Sequence, residues 1–256
     1  MKKIAKQLIV TGLNPDGFQK ETCLFMKYYP INLNILNKEV LVVGGGPVGL
    51  RKAQALLDCG AYVTIVSPSF SEETDRLQPR ERVQFKIRPF EEADLEGKFL
   101  VLSATDDVSL NQHISKLAHN RNMLCNIADF PEACNFILPS IVRQGDFVLA
   151  ISTSGQSPAF AKAMRKKLSD QFGLEYKYFL DIMGALRKKL LAEKHAPEEH
   201  KLLFEKVIQE GLLEKVALRN VSEIDTILQC ILGKEFSLSD ICPEAYVFCC
   251  ESEEKK

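Results

Sequence analysis

The chain alternates short, wholly apolar runs with longer stretches in which apolar residues recur every three or four positions. Val40-Leu41-Val42-Val43 is the first such run. Its continuity is that of a strand buried on both faces of a parallel sheet. Gly44-Gly45-Gly46 follows, then a helix-compatible stretch from Pro47 to Asp58 that Gly60 ends. Tyr62 to Val66 is a second buried strand, stopped by Ser67-Pro68. Strand, glycine turn, helix, glycine and strand make a βαβ unit. Further strands are expected over Val83 to Ile87, Phe99 to Ser103 and Met123 to Ile127. Thr105-Asp106-Asp107 offers capping side chains for a helix running to about His119. Strands with interleaved helices specify a doubly wound α/β domain of Rossmann type, ending near residue 130.

Beyond it the pattern changes. Phe136 to Val142 and Phe147 to Ser152 are two strand-like runs separated only by Arg143-Gln144-Gly145-Asp146. No helix fits in that gap, so an antiparallel hairpin is expected. From Pro158 to about Lys189, and again from 198 to 233, the composition is helical, with Ser157-Pro158 as cap and first turn and with Gly211 and Gly233 as breaks. The expected organisation is an N-terminal extension (1–25), a Rossmann-type domain (26–132), a strand-rich region (133–157), a helical C-terminal domain (158–250) and a charged tail (251–256).

Composition narrows the class. The 256 residues carry 33 Lys plus Arg against 34 Asp plus Glu, a net charge of -1. That balance argues against a surface tuned to nucleic acid. No apolar run reaches the roughly 20 residues a membrane helix needs. The start lacks a signal-peptide core and cleavage site, so a cytoplasmic protein is expected. Of eight cysteines none forms a CxxC pair. Buried free thiols are the expectation, Cys59 on its helix and Cys125 on its strand among them. Cys242, Cys249 and Cys250 stay open as a metal or redox cluster.

The chemistry concentrates at strand ends. Gly44-Gly45-Gly46-Pro47-Val48-Gly49 matches GxGxxG between a strand and a helix. Gly44 would permit the tight turn, Gly46 the approach of a diphosphate, and Gly49 close packing of helix on sheet, with Pro47 and Val48 opening the helix. The acidic residue that often grips the ribose is absent from Val66-Ser67-Pro68-Ser69, and no Arg or Lys stands there for a 2′-phosphate. Ser67 remains as a hydroxyl partner, and NAD is favoured over NADP. Three polar loops lie where ligands gather: Ser103 to Asp107 with Asn111, Asn126 to Asp129, and Ser152-Thr153-Ser154-Gly155-Gln156-Ser157. Thr105 and Asp106 border the cofactor; Asn111, Ser152, Thr153 and Ser154 border a substrate. Asp129 could orient a substrate, accept a proton or contact a metal, or it could cap the turn at Glu132 to Cys134. Lys162, Arg165 and Lys166 share a helical face, either as a clamp for carboxylates or as a solvated surface. None of the four histidines has metal-ligand spacing.

Taken together these segments resemble the precorrin-2 dehydrogenases, a module that also opens the bifunctional siroheme synthases. The likeness is carried by Tyr29-Pro30-Ile31, the glycine loop with Arg51-Lys52-Ala53, Ala104 to Asp107 with Asn111, and Cys125 to Asp129. It is sharpest in Asn135-Phe136-Ile137-Leu138-Pro139-Ser140 and Ser152 to Pro158. It covers about residues 28 to 190. It implies NAD-dependent oxidation of precorrin-2 to sirohydrochlorin, with residues 26–132 as an NAD-binding domain, residues 133–157 as the dimerisation region of a homodimer, and an essential aspartate at Asp129. It also implies a phosphate-carrying serine at Ser152. Some members insert iron as well, for which Asp129 is the candidate contact. A non-catalytic NAD- or tetrapyrrole-binding protein is the remaining alternative. The methyltransferase part of the fused enzymes is absent from this sequence.

Overall fold

The computed structural model describes residues 10–13, 19–22, 27–128, 130–192 and 197–251. The chain divides into two compact units, Met1–Ile137 and Leu138–Lys256. Strands β1 (Val10–Leu13) and β2 (Gln19–Thr22) pair antiparallel within the segment expected to be a plain extension.

The first unit is built on β3 (Glu39–Gly45), α1 (Pro47–Leu57), β4 (Tyr62–Phe70), β5 (Val83–Ile87), β6 (Leu100–Ser103), α2 (Val108–Asn120) and β7 (Leu124–Ile127). The sheet is wholly parallel in the order β5-β4-β3-β6-β7. The apolar runs have a direct cause. Alternate residues point to opposite faces, and both faces are covered. Val40, Val42, Ile65, Leu100 and Leu102 pack with Leu50, Ala53 and Leu57 of α1. Leu41, Val43, Val66 and Val101 pack with Ile114 and Ala118 of α2. Each fully buried branched side chain contributes about 1.5–3 kcal/mol.

Two boundaries differ from the sequence expectation. β4 does not stop at Ser67-Pro68. Val43 pairs with Val66 but Gly45 pairs with Phe70, so Ser67 to Ser69 form a bulge and the strand resumes. A bulge tolerates the missing N–H of Pro68, and the Ser67 hydroxyl steadies it by donating to Ser69 O at 2.6 Å. In the second unit β8 runs only from Ser140 to Gln144 and pairs with β9 (Phe147–Ile151). Residues 136–139 are not strand. Pro139 has no N–H to give, and the residues just before are spent elsewhere.

That other use is the edge of the first sheet. β7 is an edge strand, and its outward groups need partners. Asn135 N donates to Cys125 O at 3.1 Å, its Oδ1 accepts from Cys125 N at 2.8 Å, and its Nδ2 donates to Met123 O at 2.8 Å. Ile127 N donates to Cys134 Sγ at 3.0 Å. Cys134-Asn135 thus closes the sheet as a miniature strand.

Gln144 pairs with Phe147, leaving Gly145-Asp146 as a two-residue turn. Gly145 takes φ +60°, in the left-handed region that favours glycine. Helices α3 (Pro158–Gln171), α4 (Leu174–Ala192), α5 (Pro197–Gln209), α6 (Leu212–Ala217), α7 (Val221–Leu232), α8 (Leu238–Ile241) and α9 (Pro243–Cys250) follow. Ile182, Leu186, Val216, Ile224, Leu228 and Phe236 form the core of this unit.

Cys242 and Cys249 lie in that core, and burial pushes the Cys249 thiol up to about 11. They are packing residues. Among the described residues no cluster of three or more potential metal ligands occurs. Cys125 is buried as expected, whereas Cys59, in the turn after α1, is exposed. No helix among the described residues is long and apolar enough to cross a membrane.

Replacing Asn135 by alanine strips partners from the β7 edge. We expect a loss of about 1–3 kcal/mol, read as a lower urea midpoint at unchanged slope. An unmoved midpoint would show that water satisfies this edge equally well.

Candidate functional site

The site begins where β3 turns into α1. Gly44 has φ +115°, and a Cβ there would collide with Ala104 O of the loop after β6. A Cβ at Gly49 would collide with Gly44 O, so the first turn of α1 lies directly on the glycine turn. Around Gly46 nothing stands within 4 Å of where a Cβ would be. The three glycines therefore do three jobs: turn, open approach and close packing. The sequence left Gly45 without a role. A Cβ there would strike Ser69 O and Phe70, because the prolonged β4 folds against the turn.

Helix α1 starts at Pro47 after Gly46, whose φ and ψ are -79° and 175°, and no side chain caps it. Its first amides stay open to an anion at the positive end of the helix dipole. Val48 is exposed in this turn. Ser67 is 7% exposed, with its hydroxyl proton committed to Ser69 O, while Pro68 and Ser69 are exposed.

The crevice lies between β3 and β6, where the sheet order reverses. Beside it a cavity of about 290 Å³ is lined by Thr105, Asp106, Val108, Asn111, Ala128 and Phe130. Asp106 is exposed at its rim, and Asp107 caps α2 by accepting from Leu110 N at 3.0 Å. Asn111 was expected to contact substrate, but its amide is largely spent inward. Its Oδ1 accepts from the hydroxyls of Ser103 at 2.6 Å and Thr105 at 2.9 Å, and its Nδ2 donates to Thr105 O at 2.9 Å. It holds the loop that shapes the cavity. At the end of β7, Ala128 N donates to Ser103 O at 2.8 Å and carries the ladder into the crevice. Asp129 lies outside the described residues.

One contact escaped the sequence reading. Lys52, an ordinary helix surface position by pattern, donates from Nζ to Asn126 Oδ1 at 2.8 Å. Asn126 in turn donates to Phe136 O at 3.1 Å. The helix that follows the glycine loop is thereby tied to the strand that leads to Asp129. The signal available was the long side chain on the sheet-facing half of α1, one residue before the fully buried Ala53.

The second unit carries the remaining candidates. The hydroxyl loop braces itself. Ser152 Oγ accepts from Ser154 N at 3.1 Å, Thr153 Oγ1 from Ser157 N at 3.1 Å, and Ser157 Oγ caps α3 by accepting from Phe160 N at 3.2 Å. Ser154 sits at φ +53°, a conformation that costs a non-glycine residue energy. On α3, Lys162, Arg165, Lys166 and Lys167 are exposed, and among the described residues none has an ion-pair partner. Only Ala161 of this helix is buried.

The glycine geometry separates two kinds of damage. Gly46→Asp adds a carboxylate in open space, so the fold should survive while NAD affinity drops by about tenfold or more through charge repulsion. Gly49→Ala strikes backbone, so it should lower thermal stability along with affinity. Calorimetric titration and thermal melts of both variants check this; wild-type NAD affinity in Gly46→Asp would remove the loop from the site.

Comparison with known proteins agrees with this geometry. Residues 31–140 match the family NAD_binding_7, described as "Putative NAD(P)-binding". A siroheme synthase of Thioalkalivibrio sulfidiphilus is 34% identical over 189 residues, 74% of this chain and 39% of that protein. One from Nitrosococcus oceani is 32% identical over 211 residues, 82% of this chain and 45% of that protein. The chain thus spans less than half the length of these relatives. The solved structure of "SirC, precorrin-2 dehydrogenase" superposes with a TM-score of 0.63 at 26% identity, covering 80% of this chain and 98% of that one. The chain is homologous to the siroheme synthase family, carries an NAD-binding domain, and shares its fold with a precorrin-2 dehydrogenase.

Proposed function

We propose that this protein oxidises precorrin-2 to sirohydrochlorin with NAD as hydride acceptor, as a cytoplasmic homodimer. The observation that carries the reading is a cofactor-shaped glycine turn beside a cavity, within a fold shared along 98% of a precorrin-2 dehydrogenase chain. The substrate loses a hydride and a proton and gains one double bond; NAD takes the hydride and solvent finally receives the proton. The dinucleotide supplies the redox chemistry, and the chain supplies position and proton handling.

In this reading Gly44, Gly46, Pro47, Val48 and Gly49 cradle the diphosphate, while Ser67, Thr105 and Asp106 border the cofactor. Asn111 acts indirectly, by fixing Thr105. Asp129 serves the proton or orients the macrocycle. Lys162 and Arg165, with the Ser152-Thr153-Ser154 loop, take the substrate's carboxylates.

The dimer reading rests on the hairpin. Ile141 and Val148 on its outer face are 48% and 47% exposed, and both strand edges lack neighbours among the described residues. A second copy would cover them. Sedimentation should give twice 28.8 kDa at micromolar protein; a lone monomer there refutes it.

The activity test is the absorbance of sirohydrochlorin formed from precorrin-2 and NAD. Asp129→Asn should fold, bind NAD and lose most turnover, about a hundredfold or more for a group that handles the proton. Near-parent kcat would discard the role. Neutralising Lys162 and Arg165 together should raise KM for precorrin-2, flatten its salt dependence and spare NAD binding. Equal KM and salt slope in variant and parent would return α3 to a solvated face.

A further inference from the structure

We propose that Asp94 sets the choice between NAD and NADP by locking Lys86 and Arg88 into a neutral cluster beside the ribose end of the cofactor site. The proposal deepens the dinucleotide-binding reading and rests on it. The ribose of a bound dinucleotide is read at the end of the second strand of such a sheet, here β4. That end, Ser67 to Ser69, carries no charge of its own. The neighbouring strand supplies what the sequence did not show. Val66 pairs with Lys86 and Ser67 with Ile87, and Arg88 follows directly. Two cations therefore arrive on the adjacent strand, level with the ribose-reading segment. An Arg at such a place is what a 2′-phosphate recruits.

Neither cation is available. Asp94 stands in the short turn of helix over Glu92–Leu95, with its side chain 1% exposed. Its Oδ1 accepts from Lys86 Nζ at 2.8 Å and from one Arg88 guanidinium nitrogen at 2.7 Å. Its Oδ2 accepts from the other nitrogen at 2.8 Å and from Glu91 N at 3.0 Å. Arg88 also donates to Pro89 O at 2.8 Å and lies 3.6 Å from the Glu91 carboxylate. Both terminal nitrogens of the guanidinium are thus engaged by Asp94 and its neighbours. The two cations face two carboxylates, so the cluster is neutral. Burial alone would raise the Asp94 carboxyl, but the donors from Arg88, Lys86 and Glu91 N together outweigh it and hold it below the usual carboxylate range. A 2′-phosphate would meet no net positive charge, with both cations turned towards Asp94. A 2′-hydroxyl does not need one.

The test is isothermal titration of NAD and NADP against the parent, Asp94→Asn and Arg88→Gln, with circular dichroism as the folding check. The parent should prefer NAD. Asp94→Asn removes the lock but keeps the shape. NADP should then bind about tenfold tighter, the size of one released charge-assisted contact, with NAD affinity held within about twofold. Arg88→Gln leaves the cluster with net negative charge, so NADP should bind about threefold weaker and NAD equally. An unchanged NADP-to-NAD ratio in folded Asp94→Asn overturns the proposal. Should that variant fail to fold, an unchanged ratio in Arg88→Gln overturns it. A parent that binds neither dinucleotide would sink the cofactor reading as well, an outcome distinct from binding without discrimination.

Discussion

Everything at the site depends on one contact. The end of β3, the first turn of α1 and the loop after β6 meet at Gly44, Gly49 and Ala104 with no space for a Cβ. That approach brings the open amides of α1 onto the axis of the central strand, and it sets β6 and its loop at the switch point. A methyl group at Gly49 would push helix from sheet, and the buried faces of Leu50, Ala53 and Leu57 would move with it. The tight turn thus joins core packing and ligand geometry in one constraint. This is why a short glycine pattern carries so much of the fold.

How much could be read in advance follows from how local each cause is. β3, β4 and β6 were legible because burial on both faces writes itself as continuous apolar runs, and α1 and α2 because one buried face recurs every three or four residues; the edge strand β5 has no buried residue and shows only the alternation of Val83, Phe85 and Ile87. Asp107 was legible as a cap, since capping acts over three residues. The bulge in β4 was not legible. Ser67-Pro68 stops most strands, and only the neighbouring Gly45 lets this one continue. The hairpin began late for a similar reason. Residues 136–139 look like strand, but Asn135 is already bound to β7 and Pro139 cannot join a ladder. Long-range partners of this kind leave no periodic trace.

The same distinction sorts the candidate site residues. Polar side chains in loops near strand ends were all eligible as ligand contacts. Asn111 is buried, and its amide is occupied with Ser103 and Thr105. An unsatisfied buried amide costs more than a satisfied one gains, so Asn111 holds its loop before it serves a ligand. The hydroxyls of Ser152, Thr153 and Ser157 accept from backbone amides and keep their own protons to donate. Lys52 shows the converse: a residue that pattern assigns to solvent reaches the end of β7 because its long stem can run along the sheet.

Charge is divided in the same spirit. In the first unit the cations near the cofactor strand are paired, Lys86 and Arg88 with Asp94 and Lys98 with Glu39. In the second unit the cations of α3 stand exposed without acidic partners among the described residues. Paired, partly buried charges are weakly screened by salt, whereas exposed unpaired ones are strongly screened. The paired charges beside the cofactor strand are held by geometry and respond little to ionic strength, whereas the charge on α3 acts at range and fades with salt. The contrast belongs to these two places and not to the units as wholes, since Lys177 with Asp181 and Lys215 with Glu223 are paired in the second unit as well. Under the proposed function α3 is the charge that a carboxylate-rich substrate would meet, so salt would act on substrate binding well before it acted on the cluster around Asp94.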